Sequence, residues 1–130
     1  MIRQKSLLKV VFLIGVITVI SGFVQMIKPD FVLSIIGGQQ TPGGNHSFAI
    51  VGMFMVLFGA MLIHALATPS QQPMVVLWCS IQKLGAAAAV SIGVAKGYFS
   101  TLALLVAGFD LFSFLLMMAF WFCLQKNNLR

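Results

Sequence analysis

Four apolar runs, each about twenty residues long, divide this chain and leave few folds open to it. They extend from about Leu7 to Ile27, Ser47 to Ala67, Met74 to Lys96 and Thr101 to Leu124. Crossing a hydrocarbon core ~30 Å thick takes about 20 helical residues. Backbone polar groups find no water there, so a span must be a helix or part of a closed barrel. Barrel strands are short and alternate apolar with polar residues. These runs are continuous, so each is read as a transmembrane α-helix. The expected fold is all-α: a single-domain integral membrane four-helix bundle, antiparallel and up-down, with one longer outer loop.

Composition supports this reading. Sixty per cent of the 130 residues are hydrophobic, and only eight basic and two acidic residues carry charge. That is too little charge to cover a soluble domain. The net charge of +6 does not indicate nucleic acid, because the basic residues sit mainly at the two chain ends, in clusters too short for such a site. Arg3, Lys5, Lys9, Lys126 and Arg130 fall on one side of the membrane, Lys28 and Lys96 on the other. The positive-inside rule then puts both termini in the cytoplasm. Trp78 and Trp121 are expected near the cytoplasmic interface, Tyr98 near the outer one. The first apolar run exceeds the ~7–15 residues of a signal-peptide core and has no A-x-A site after it, so it reads as a span.

The breaks carry turn chemistry. Pro29 ends the first span, the Thr68–Pro73 segment forms a polar turn, and Gly97–Ser100 closes a tight hairpin with Ser100 as the expected N-cap. Within the long first connection, Phe31–Ile36 is apolar but too short to span, and is expected to be an interfacial helix. Gly37 to Asn45 is expected to be a flexible loop.

Lys83 and Asp110 are the ionisable residues deepest within the spans, and such residues carry a functional hypothesis. Lys83 lies ~14 Å and Asp110 ~21 Å from the cytoplasmic ends of their helices at 1.5 Å per residue. The short hairpin makes these helices neighbours, so an intramembrane ion pair is expected. It can serve as a structural clasp, a polar binding spot or a proton-relay element. The third span also carries Gly85, Ala89, Gly93 and Gly97, four residues apart, expected to form a face for close helix packing. His64 and Gln82 are candidate polar or ligand contacts. His46 and His64 are too far apart along one helix, ~27 Å, to share a metal or haem. Cys79 and Cys123 form no C-x-x-C pair and read as small buried hydrophobes. No metal site or cofactor is expected.

The outline resembles small four-helix bacterial membrane proteins of the DoxX-like and related uncharacterised types. It is carried by Pro29 and Gly37-Gly38, by Phe48 to Gly52 and Gly59, by Trp78 and Lys83-Leu84-Gly85, and by Gly108-Phe109-Asp110. The resemblance implies a compact bundle in the bacterial inner membrane and brings no catalytic residues with it. The leading functional expectation is a non-catalytic accessory or structural subunit. Its partners would be membrane lipids and either other membrane subunits or copies of itself. The alternatives are a small oligomeric channel or carrier using Lys83 and Asp110, and a quinone, lipid or pigment binding protein. Topology is testable with Gly43→Cys in a chain whose own cysteines are replaced by alanine. An impermeant thiol reagent should label it from outside only; labelling from the cytoplasm would reverse the orientation.

Overall fold

The computed structural model describes residues 2–129 as five helices, with no strand among them. They are α1 (Ile2–Ile27), α2 (Pro29–Ile36), α3 (Pro42–Ala67), α4 (Pro73–Ala95) and α5 (Ala103–Asn128). The four long helices are each long and apolar enough to cross a bilayer. The fold is an antiparallel four-helix membrane bundle, with α2 inside the long connection. The first turn of α1 and the last turn of α5 lie at one end, where Asn127 Nδ2 donates to Gln4 Oε1 at 2.7 Å.

The bundle is built from two tight pairs, α1 with α3 and α4 with α5. Lipid supplies no hydrophobic force between helices, so close packing must hold each pair. In the first pair, glycines provide it. A methyl group added at Gly52 would lie 2.6 Å from the Met26 nitrogen and 2.7 Å from the Gly22 oxygen. One at Gly59 would lie 2.9 Å from the Gly15 oxygen. The backbones therefore touch at two levels, two helical turns apart. Gln25 Nε2 donates to the Phe48 oxygen at 3.0 Å and fixes the end nearest α2.

The second pair meets along Val76, Ser80, Lys83 and Ala87 on α4 and Ala103, Ala107, Asp110, Ser113 and Met117 on α5, all buried. The alternating steps of four and three residues on α4 keep one face on its partner. The two pairs join at the terminal end through Val11, Ile14, Leu62, Leu66, Met117 and Phe120. At the other end, Leu33 and Ile36 of α2 pack with Ala103, Val90, Val94 and Phe99. Helix α2 is therefore a wedge at the bundle mouth, while its Phe31 and Ile35 face outward.

Three expectations are corrected here. First, the Gly85–Gly97 row, whose packing partner the sequence leaves open between this chain and another, does not keep to one face, and within this chain only Gly93 of it is packed. Gly93 is buried against the Phe99 ring, but Gly85 and Ala89 are exposed, with open space beside Gly85. Steps of four residues advance ~40° each on a 3.6-residue helix, so the row winds off any one face. Gly97 lies beyond α4, in a turn with φ 75°. Second, the Thr41–Asn45 segment is the first turn of α3 rather than a flexible loop. Thr41 Oγ1 caps it by accepting from Gly44 N, and Pro42 holds the first helical position. His46 therefore sits on α3, exposed. Third, Ser100 does not cap α5. Its N–H and hydroxyl both donate to the Ile36 oxygen, at 2.8 and 3.0 Å, and tie α2 to the hairpin.

Gly52→Ala should destabilise the bundle by about 1–3 kcal/mol, because the atoms it meets are backbone and cannot swing aside. Gly85→Ala should be neutral or stabilising by up to ~1 kcal/mol, since it meets nothing and favours helix. Thermal unfolding of both variants in detergent compares them; equal stability would contradict the α1–α3 contact.

Candidate functional site

The site begins with the α4–α5 hairpin. Tyr98 N–H returns to the Gly93 oxygen at 2.8 Å and Gly97 takes the left-handed turn conformation, so α4 stops sharply. Helix α5 then runs back beside it, bringing α4 and α5 residues level in reverse order. Lys83 Nζ donates to Asp110 Oδ1 at 2.9 Å, forming a salt bridge. The residues are 5% and 7% exposed. The axial offset expected from sequence is taken up by the lysine chain and by the helices' actual ends.

The pair is framed by polar and aromatic groups of the same seam. Lys83 Nζ lies 5.3 Å from the centre of the Phe109 ring, within cation–π range. Ser80, one turn before Lys83, donates to the Leu77 oxygen at 2.7 Å, with Met118 Sδ 3.1 Å from the same hydroxyl. Ser113, one turn after Asp110, is fully buried, and its hydroxyl has no hydrogen-bond partner among the described residues. Sequence reading missed both serines. The signal was present: each stands three residues from a charged member, away from the hairpin. Above and below, the two apolar clusters separate the pair from the bundle ends.

The other candidates are not drawn to this centre. Gln82 lines a lateral groove of about 470 Å³ between α3 and α4, with Phe58, Met61, Met74 and Trp78. His64 is exposed on α3 and does not line that groove. Cys79 is buried and its thiol approaches the Phe58 oxygen at 3.7 Å; Cys123 is half-buried. Among the described residues, no three His, Cys, Asp or Glu side chains are placed to hold a metal ion. A second hollow of about 620 Å³ opens at the α2 end, with Leu33, Phe48 and Phe99 in its walls and Gln39, Ser47 and Tyr98 among its lining residues.

Chemically, the centre is a compensated charge pair inside an apolar bundle. An ionised side chain alone in hydrocarbon is expensive, and pairing lowers that cost. The fold and this centre define an integral membrane helical bundle with a buried ion pair. No protein-family model matches the chain, and no match was found among curated proteins or solved structures.

Replacing one partner leaves the other charged and unpaired. Lys83→Leu and Asp110→Leu should each cost about 3–5 kcal/mol, by analogy with buried pairs in soluble proteins. The double Leu variant should recover most of that loss. A double variant as unstable as the sum of the singles would show that the two groups are not coupled; unfolding of all four proteins in one detergent measures it.

Proposed function

We propose that this chain is a non-catalytic membrane subunit that packs its α4–α5 face against helices of other membrane proteins or of its own copies. The observation that carries this reading is two unfilled glycines on the outward sides of α4 and α5. Gly85 and Gly108 stand on neighbouring helices, each two residues, or ~200° of helical turn, from a member of the buried Lys83–Asp110 pair, so each faces outward from the α4–α5 seam. Both are exposed, and nothing lies within 4 Å of where their Cβ atoms would be. Ala88 and Ala89 extend the same small surface. A mid-helix glycine costs about 0.5–1 kcal/mol relative to alanine. On α1 and α3 that cost is offset by backbone contact within the chain; on α4 and α5 no such contact exists within the chain. Small residues let a further helix approach closely, which is how helices associate in lipid.

The packed interior argues against a path through a single copy of the chain. Val11, Val76, Met117 and Phe120 have no exposed surface, and α2 packs Leu33 and Ile36 into the opposite end, beside the hollow there. We place both termini in the cytoplasm, since Arg3, Lys5, Lys9 and Lys126 gather at their end. Residence in a bacterial inner membrane follows from the resemblance to DoxX-like proteins and belongs to the same proposal.

Gly85→Leu combined with Gly108→Leu should abolish co-purification with partners, or self-association, in mild detergent. Stability of the isolated chain should not fall by more than ~0.5 kcal/mol, because both positions are surface sites. Unchanged assembly in crosslinking and size analysis would refute the docking face.

A further inference from the structure

We propose that the hollow at the α2 end holds one diacyl membrane lipid by the carbonyl oxygens of its glycerol esters. The hollow measures about 620 Å³, within the ~300–1,000 Å³ of small-molecule sites. It follows from how the helices pair. Val51 precedes Gly52 by one residue, ~100° of helical turn, so its side of α3 is turned away from the α1 contact. Helix α4 is engaged with α5, and the α2 wedge stands at the mouth. One strip of α3, Gly44, Ser47, Phe48 and Val51 in steps of three and four, is left to line the hollow.

The lining combines two chemistries. Leu33, Phe48 and Phe99 belong to the apolar cluster at this end of the bundle. Val51 is 51% exposed and lies seven residues beyond Gly44, so the strip reaches ~10 Å down α3 into its apolar stretch. Gln39, Ser47 and Tyr98 are the polar side chains of the lining, and they make no hydrogen bond among the described residues. Each is neutral and offers an N–H or O–H donor. Among the described residues no charged side chain lines the hollow; Lys96, next to Gly97, does not. Charged headgroups are recognised by basic side chains, so the headgroup is not what this lining selects. Its complement is an uncharged acceptor joined to apolar chains. A diacyl lipid has that combination at its glycerol esters, where the chains meet the headgroup. The hollow lies at the matching level, at the ends of the spans beside Tyr98, since tyrosine collects at the membrane–water interface. The ester carbonyls accept from the polar side chains, and the acyl chains leave past Val51 into the bilayer. Neither Gly85 nor Gly108 lines the hollow, so the site is independent of the docking face.

Native mass spectrometry of the full chain, stripped of lipid in detergent, tests this with three probes. They are dioleoyl phosphatidylcholine, dioleoyl phosphatidylglycerol and the dialkyl ether analogue of the first. One molecule of either diester lipid should be retained per chain, with equal affinity despite the difference in charge. The ether analogue, which lacks the carbonyls, should bind several-fold more weakly. Ser47 is exposed, so Ser47→Trp fills the hollow without entering the core, and should weaken the diester lipids several-fold. Tyr98→Phe keeps the ring and removes one donor; it should weaken the diester lipids and leave the ether analogue unchanged. Ether and diester lipids held equally would show chain packing alone and overturn the site. So would strong preference for phosphatidylglycerol, or retention untouched by both variants.

Discussion

Helices in hydrocarbon gain nothing by hiding apolar side chains from one another, because the lipid is equally apolar. Every stable contact in this protein must therefore come from close packing or from a polar bond that lipid cannot offer. The chain meets this constraint in two ways. Helices α1 and α3 bring backbone against backbone at Gly15–Gly59 and Gly22–Gly52. Helices α4 and α5 use small side chains around one ion pair, Ser80, Ala87, Ala107 and Ser113 framing Lys83 and Asp110. Phenylalanine, leucine and isoleucine are left to face outward over much of the surface, as a lipid-solvated bundle allows.

Two tight pairs do not by themselves make a bundle. At the terminal end the joint is ordinary core packing around Met117 and Phe120. At the other end, α2 does the joining. Pro29 starts it, Asp30 lies in its first turn where a negative charge suits the helix dipole, and Gly37 ends it with φ 71°. The freed Ile36 oxygen then receives both donors of Ser100. A helix-terminal carbonyl that would otherwise face hydrocarbon is thus satisfied by the α4–α5 turn. One interaction closes the mouth, satisfies a backbone group and ties the two pairs together.

The spans, the short α2 helix and the ion-pair partners were legible because each depends on quantities a sequence carries directly: run length, depth and hairpin shortness. What was not legible depends on rotation about the helix axis. The row from Gly85 to Gly97 looks like one face when counted in fours, but it winds, and the true seam of α4 advances in alternating fours and threes. The glycines that do bring backbones together, on α1 and α3, are seven apart, a spacing that keeps closer to one face than steps of four. Thr41-Pro42 carried a helix-start signal, which the following Gly43-Gly44 obscured. Ser100 was read locally as a cap, whereas its actual partner, Ile36, is 64 residues away. Long-range satisfaction of one carbonyl leaves no local mark.

The ion pair has a further consequence for how the second pair of helices fits together. The seam between α4 and α5 is otherwise made of small and apolar residues, which pack tolerably in several registers. Sliding one helix by a single residue would move Asp110 by ~1.5 Å and turn its direction by ~100°. A charge facing lipid near a helix centre costs about 2.5–3.5 kcal/mol on insertion scales. A slipped register therefore carries a penalty comparable to that of breaking the pair outright, whereas an all-apolar seam would carry little. Buried polar groups are best attested in this register-setting role. Here the register also fixes which residues face outward, since Gly85 and Gly108 are turned away from the seam when Lys83 meets Asp110. The buried charge pair and the two exposed glycines are thus two results of one alignment, and a change that shifts the first must rotate the glycines with it.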